Sequence, residues 1–467
     1  MLKLFNTFSR KIEELRPIEK NTVKMYNCGP TVYDFAHVGN LRTFTLQDLL
    51  RRYLEFKGLD VFCIMNITDV DDKTIKCSLE QGVSLKDYTQ KYFHEFLADI
   101  KALGIKAPEK FVFATENIHE MVTLVEKLLK NGLAYKSAGG SVYFDIKKFK
   151  KYGFLSKIKM SNLKKGTRVD SDEYGKANAS DFVLWKAWQP SDGNVFWETE
   201  IGRGRPGWHL ECSAMSMKYL GEHFDIHGGG IDLVFPHHEN EIAQSEGATG
   251  KKFVNHWVHF AHLIVDGKKM SKSLGNFYTL RGLSKFEPRA IRHEFLKAHY
   301  RDKLNFSLKS LEQSQKTIET FDELTRKLLD ASGKENKKIS VIVKKMEKEF
   351  EKQLDFDLDL PKMFAALHKF IRRINKLLNE NNVGKKNAQE ILGFLKKIDS
   401  VLALFRFEFD KELEPELLSL LTRREEARKH KDFRKADEIR ALLLKKGVQL
   451  DDTFGGVRWK KIKKLCG

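Results

Sequence analysis

Three short stretches of the chain carry side chains whose types and spacing could do chemistry. The first is Cys28-Gly29-Pro30-Thr31-Val32-Tyr33-Asp34, continuing to His37-Val38-Gly39-Asn40. A thiol ends an apolar run, and a histidine, a glycine and an amide follow at the start of a helical pattern. Backbone N–H groups at a helix start attract phosphate, and a glycine lets the phosphate come close. The plainer reading of His-x-Gly-x by itself is a capped helix with a locally satisfied histidine. The second stretch is Gly207-Trp208-His209-Leu210-Glu211-Cys212, followed by His227-Gly228-Gly229-Gly230-Ile231-Asp232 and Pro236-His237-His238-Glu239-Asn240-Glu241. His237 and Glu241 are four apart, so on a helix their side chains share one face. Cys28, Cys212 and His237 are soft or borderline ligands, and with the harder carboxylate of Glu241 they could surround one Zn²⁺. The spacing fits equally well two small buried thiols beside a His-His-Glu helix start, because no Cys-x-x-Cys pair anchors a metal here. The third stretch is Gly267-Lys268-Lys269-Met270-Ser271-Lys272-Ser273-Leu274-Gly275-Asn276. Small and doubly cationic, it could bring the ammonium groups of Lys269 and Lys272 onto a polyphosphate whose charge shifts as a bond breaks.

The elements that must position these residues follow from periodicity. Residues 23–26 read as a strand, Gly29-Pro30 breaks it, and from Val38 the apolar positions Leu41, Phe44, Leu49, Leu50 and Tyr53 recur at helical spacing. Strand, loop, helix is how a doubly wound α/β fold opens, with ligands beyond the carboxyl ends of the strands. Residues 61–68 are apolar and β-branched, a buried parallel strand. The cluster Asp69-Val70-Asp71-Asp72-Lys73 reads as a solvated or helix-capping turn, since no further oxygen ligands follow at calcium-loop spacing. Helical patterns fill 86–103 and 117–131, and a hairpin turns at Gly139-Gly140. From there to about residue 200 the chain reads as basic and irregular, an insertion between two halves of the first domain. Its lysine runs, Lys147 to Lys151 and Lys164-Lys165, read as a solvated face. His256, His259 and His262 lie in an aromatic, strand-like run without acidic or thiol partners and do not read as a second metal site. Beyond residue 310 amphipathic helices indicate a bundle. One last basic helix is expected from Arg423 to Leu444, before Gly455-Gly456-Val457-Arg458-Trp459-Lys460.

Composition bounds the answer. With 467 residues, 41% of them hydrophobic and 31% charged, the chain has the texture of a globular protein of about three domains. A net charge of +19 favours a polyanionic partner. Five scattered cysteines argue against a disulfide framework and for a reducing cytoplasm. No apolar run approaches the ~20 residues that span a bilayer, and the N-terminus lacks the apolar core of a signal peptide.

Taken together, His37-Val38-Gly39-Asn40 and Lys269-Met270-Ser271-Lys272-Ser273 resemble the two signatures of class I aminoacyl-tRNA synthetases. The segments from Cys28 to Asp34, Asn66-Ile67-Thr68-Asp69, Gly204-Arg205-Pro206-Gly207-Trp208-His209 and Phe224 to Glu241 are similar to the cysteinyl-tRNA synthetase family over nearly the whole chain. The resemblance implies an α/β, Rossmann-type parallel-sheet catalytic domain with an inserted connective segment, then a helical bundle and a small anticodon-binding domain. The expected division is 1–115 and 201–255 for the two catalytic halves, 116–200 for the insertion, 256–310 for a stem-contact region with the Lys-Met-Ser-Lys-Ser loop, 311–400 for the bundle and 401–467 for the anticodon-binding tail.

The same resemblance implies Cys28, Cys212, His237 and Glu241 as ligands of one Zn²⁺ per chain that also takes the substrate thiolate. It implies His37, Gly39, Asn40 and Lys272 at ATP, with Mg²⁺ carried by the nucleotide, and His37, Asn40, Lys269 and Lys272 in catalysis. Gly29, Thr43, Thr68, Trp208 and Asp232 match substrate-pocket positions. Arg458 and Trp459 are candidates for contact with tRNA, although a tryptophan in a small domain can equally be core. Asn40 stands where the general signature has histidine and cannot be cationic; Trp197-Glu198-Thr199-Glu200 departs from the family's usual Ser-Pro. The implied activity is ATP-dependent formation of cysteinyl-adenylate and transfer to tRNA(Cys) by a cytoplasmic monomer. The rivals are a cysteine ligase acting on an amino sugar and a non-catalytic, synthetase-like RNA-binding protein. Against the first, Ala436 to Arg440 and Gly456 to Trp459 match the synthetase's C-terminal end; against the second, the metal and phosphate residues are all retained.

Overall fold

The structure, a computed structural model, describes residues 2–158, 181–271, 274–409, 413–453 and 456–461. Its centre is a five-stranded sheet. In chain order the elements that build the site are β1 (Thr22–Asn27), α1 (Val38–Phe56), β2 (Asp60–Ile67), β3 (Lys110–Phe113), α2 (Trp208–Leu220), β4 (Phe224–Gly230), α3 (His237–Thr249) and β5 (Val254–Phe260). The strands lie in the order β5-β4-β1-β2-β3, and every pairing is parallel. The winding direction therefore reverses between β1 and β4. At such a switch point the loops leaving the two strands diverge and leave a crevice at their carboxyl ends. Register brings Tyr26 opposite His227 and Asn27 opposite Gly228, and the Cys28 N–H extends the ladder by donating to the Gly228 carbonyl at 3.0 Å.

The apolar runs read from the sequence at 23–26 and 61–68 are buried as expected of strands covered on both faces, and Tyr26 and Ile64 share one core with Val112, Phe224, Trp257 and Met215 of α2. The acidic cluster caps a helix, as read. Asp71 accepts the Thr74 N–H at 2.7 Å at the start of Asp72–Glu80, while Thr74 Oγ1 accepts the Asp71 N–H at 2.8 Å.

The insertion departs from expectation. After the helix Ile118–Lys130 comes a four-stranded antiparallel sheet of Ala134–Lys136, Val142–Phe144, Phe182–Ala187 and Gly204–Pro206. The segment read as irregular thus contains a strand. Phe182, Val183, Leu184 and Trp185 are all buried, so the polar alternation that would have marked it is missing. The run Lys164-Lys165 lies outside the described residues.

Residues Met1–Phe405 form one compact unit, which includes the helices Leu308–Leu329, Lys338–Leu354, Leu360–Asn379 and Lys385–Leu402. These are held to the catalytic half by a buried arginine. Arg292, on the helix Pro288–Leu296, donates to Asp48 of α1 at 2.6 Å and to the Leu402 carbonyl at 2.7 Å. Arg406–Gly467 form a second unit. There the single basic helix expected from 423 to 444 is two helices, Pro415–Lys429 and Phe433–Lys445. Lys431 takes a left-handed φ of 61°, and Asp432 caps the second helix through the Lys435 N–H. The strands Val448–Thr453 and Gly456–Lys461 pair as a hairpin. No helix among the described residues is long and apolar enough to cross a membrane.

Candidate active site and metal centre

Cys28 leaves β1, Cys212 lies on α2, and His237 and Glu241 occupy the first turns of α3, so three elements bring four ligand atoms to the switch point. Each atom lies within 4.8 Å of the others and all four residues are buried. The two Sγ atoms are 4.0 Å apart, and His237 Nε2 is 3.4 Å from Cys212 Sγ and 3.1 Å from Glu241 Oε1. Tetrahedral Zn²⁺ with ordinary bond lengths needs S···S edges of ~3.8 Å and N···S edges of ~3.5 Å. The donor set therefore fits zinc in both spacing and softness. Without a cation, burial pushes both thiols up, that of Cys212 furthest. Burial opposes ionisation of Glu241, yet the imidazoles of His227 and His237 hold its carboxyl down at about 2.

Histidines that the sequence reading did not select surround this quartet. His209 Nδ1 is 2.9 Å from His237 Nδ1, which turns the Nε2 of His237 toward Cys212. His227 Nε2 bonds Glu241 Oε2 at 2.8 Å. His238 Nε2 is 3.3 Å from Cys28 Sγ, and its Nδ1 meets His259 at 2.7 Å. Cys28, His227, His238 and Glu241 consequently form a second quartet that shares two ligands with the first. The signal for them was the His-His pair at 237–238 and His227 beside the glycine run of β4; both were read only as flanking residues.

Of the predicted substrate positions, Trp208 touches a metal ligand, and Gly29 and Thr68 are tied to residues next to Cys28 and Cys212. The exposed Trp208 stacks on the His237 ring, with centroids 4.3 Å apart and an interplanar angle of 30°. Gly29 is pressed against β2: a Cβ there would lie 1.9 Å from the Asn66 carbonyl oxygen, so no other residue fits. Thr68 is buried and donates to Glu211 Oε2 at 2.7 Å. Thr43 Oγ1 donates to the Gly39 carbonyl at 3.4 Å. Asp232 is exposed at the end of β4, 4.0 Å from His262 Nδ1.

The two phosphate-type segments meet one another at the same crevice. His37 is the N-cap of α1, its Nδ1 accepting the Asn40 N–H at 3.1 Å, as the plainer reading required. Burial lowers its pKa. Its ring meets Phe277 edge-on at 5.4 Å, and Val38 N–H donates to the Tyr278 carbonyl at 2.9 Å. Met270 comes within 3.5 Å of where a Gly39 Cβ would stand. The loop from Gly267 is launched by a tight turn at Asp266 (φ 48°) and Gly267 (φ 75°). Asn276 then braces it, accepting the Ser271 N–H at 2.9 Å and donating to the Lys269 carbonyl at 3.2 Å. Lys269 is exposed, and Lys272 lies outside the described residues. Arg42, one turn into α1, ties this helix to the segments that flank the loop. It donates to the carbonyls of Ala261 at 2.5 Å, His299 at 3.2 Å and Asp302 at 3.0 Å. In the second unit, Trp459 packs against the small core of Leu417, Leu420, Ile439 and Leu450, and Arg458 belongs to the strand Gly456–Lys461.

Residues 14–316 match the family model described as tRNA synthetases class I (C) catalytic domain. Over 98% of this chain and 98% of theirs, the chain is 47% identical to the cysteine–tRNA ligase of Brachyspira hyodysenteriae and 42% identical to that of Protochlamydia amoebophila. Among solved structures, the methionyl-tRNA synthetase of Mycobacterium tuberculosis in complex with methionyl-adenylate superposes with a TM-score of 0.62, covering 82% of this chain and 92% of that one at 13% identity, which is a likeness of fold. The chain belongs to the cysteine–tRNA ligase family of class I tRNA synthetases.

Proposed function

We propose that the protein activates L-cysteine with ATP as cysteinyl-adenylate and transfers the cysteinyl group to the 3′ end of tRNA(Cys). The observation that carries this reading is the pair of thiols 4.0 Å apart at the switch point, beside a histidine and a glutamate and in the crevice that also receives the His37–Asn40 segment. Cysteine and serine differ by sulfur for oxygen, and an apolar pocket separates such near-isosteres by only ~1–3 kcal/mol. A bound Zn²⁺ would supply a soft Lewis acid that prefers a thiolate to the harder, far less acidic hydroxyl. Cys28, Cys212, His237 and Glu241 would hold it, leaving His209 and His227 to orient the ligands.

In the first step the substrate carboxylate attacks the α-phosphate and pyrophosphate leaves. In the second a ribose hydroxyl of the tRNA displaces AMP. Neither step needs a protein nucleophile, so positioning and charge stabilisation supply the rate. With the Val38 and Asn40 N–H groups given to Tyr278 and His37, the close approach at Gly39 takes the phosphates; His37 and Asn40 border them; Lys269 and Lys272 neutralise the charge that grows on the leaving pyrophosphate. Mg²⁺ would arrive with the nucleotide. Trp208, resting on His237, covers the cysteine side chain, and Gly29, Thr43, Thr68 and Asp232 line the rest of the pocket. The bundle at 311–400 and the basic tail at 401–467, with Arg458 and Trp459, serve tRNA. We take the enzyme to act as a cytoplasmic monomer. Charging of unfractionated tRNA with labelled cysteine tests the reading: incorporation that serine does not compete with and that a chelator abolishes is expected, and charging with serine at a comparable rate would overturn it.

A further inference from the structure

The buried contact between Thr68 and Glu211 has a direction that can be worked out atom by atom. The Gly29 N–H can only donate, and it donates to Asn66 Oδ1 at 2.8 Å. This fixes the amide, so the Asn66 Nδ2 group is what faces Thr68 Oγ1, at 3.3 Å. Thr68 accepts there, and its single hydroxyl hydrogen goes to Glu211 Oε2 at 2.7 Å. The backbone of Thr68 is pinned on both sides, its N–H on the Pro30 carbonyl at 3.1 Å and its carbonyl on the Val32 N–H at 3.2 Å. The hydroxyl is thereby left with one lone pair and no proton to offer a ligand. Glu211 is fully buried, and its second oxygen, Oε1, has no hydrogen-bond partner among the described residues. The chain starts at the residue after Cys28 and ends at the residue before Cys212, so it runs alongside the place where a substrate thiol would be held.

An aminoacyl substrate brings to this place a group that complements such a surface. Its α-ammonium has three N–H donors, no acceptor and a positive charge, and in cysteine it stands two carbons from the sulfur. A buried ammonium needs acceptors, and an idle buried carboxyl oxygen needs a hydrogen-bond partner.

We propose that Glu211 is a positioning residue for the α-ammonium of the amino acid: by taking the Thr68 hydroxyl hydrogen it locks that oxygen as an acceptor toward the ammonium. The inference rests on the reading that the substrate is cysteine, and it deepens that reading by assigning recognition of the amino group to residues distinct from those that read sulfur.

The test compares two thiols that differ only in the amino group. In cysteine-dependent ATP–pyrophosphate exchange, Glu211→Gln should raise the KM for L-cysteine ~10- to 100-fold, the range set by a hydrogen bond to a charged group, while the KM for ATP stays within about twofold. The inhibition constant of 3-mercaptopropionate, which carries the thiol and carboxylate without the ammonium, should be unchanged. Thr68→Val, which keeps shape and removes the hydroxyl, should reproduce the effect, and the double variant should lose little more than either single one. Equal weakening of cysteine and 3-mercaptopropionate would overturn the proposal, because it would mean a damaged metal centre rather than a lost ammonium contact. An unchanged KM for cysteine in both variants would overturn it as well. If Glu211→Gln does not fold, the Thr68→Val comparison decides alone. Absence of cysteine-dependent exchange in the wild-type protein would instead refute the reading of the substrate.

Discussion

The backbone N–H of Val38 donates to the carbonyl of Tyr278 at 2.9 Å. This bond joins the helix start that would take phosphate to the strand-like segment that follows the lysine-rich loop, although the two are far apart in sequence. Arg42, one turn further along the same helix, holds carbonyls of Ala261, His299 and Asp302. Arg42→Met would strand those acceptors and let the two segments drift. Because misplacement by about 1 Å can cost ~100-fold in rate, kcat for pyrophosphate exchange is expected to fall by about that factor while the KM for cysteine changes little. Steady-state exchange kinetics check this; a loss confined to the cysteine KM would contradict it.

Replacing Cys212 by serine removes a soft ligand from the quartet and leaves its partners crowded around a weaker donor. Bound zinc, measured by atomic emission, should drop well below one per chain, and cysteine-dependent exchange should fall with it. Wild-type zinc content with wild-type exchange in this variant would mean that the metal sits elsewhere.

Lys269 and Lys272 are expected to act when the pyrophosphate charge develops. Alanine at either position should lower kcat by ~10²–10³, the usual scale for removing one electrostatic stabiliser, with cysteine binding nearly unchanged. A parallel loss of cysteine affinity would point to a collapsed pocket.

What was legible in the sequence and what was not divide along physical lines. Tyr26 and Ile64 sit in apolar runs whose flanking breaks mark buried parallel strands, so these two strands could be read locally, whereas the strand Phe224–Gly230, with Asp225, His227 and three glycines, carried no such run. The metal quartet could be named because His237 and Glu241 share a helical face, but Cys28 and Cys212 converge only through the sheet's winding, which no local pattern encodes. The strand Phe182–Ala187 escaped notice because burial on both sides erased its alternation. The break at Lys431 was hidden by helix-favouring residues on either side of it. Glu211 gave no signal, since its role depends on the orientation of an amide on a neighbouring strand.

The compact unit Arg406–Gly467 has its own small core, so its removal should spare the catalytic half. A chain ending at Phe405 is expected to retain most pyrophosphate exchange and to lose most tRNA charging. Loss of both activities together would show that the tail is needed for the catalytic fold.

His293 is buried, bonded to Ser314 Oγ at 3.0 Å, and burial together with the positive charges of His368 and Lys297 pulls its pKa down to about 3. The folded ring stays neutral where the unfolded one, titrating near ~6.5, takes up a proton. The stabilisation is therefore complete above pH ~6.5 and is lost as pH falls from there toward 3. This group alone should contribute ~1 kcal/mol of the loss between pH 6.5 and 5.5. His293→Gln should flatten that part of the urea-unfolding profile; an unchanged slope would mean the ring is already protonated in the native protein.

The convergence of a sulfur-reading metal and the phosphate-gripping segments is tested most directly by substituting Co²⁺ for zinc and recording the near-ultraviolet spectrum as substrates are added. L-cysteine should produce an intense sulfur-to-cobalt charge-transfer band that L-serine does not, and that band should change when ATP is added and pyrophosphate is released. A spectrum that responds equally to serine, or not at all to cysteine, would contradict the assignment.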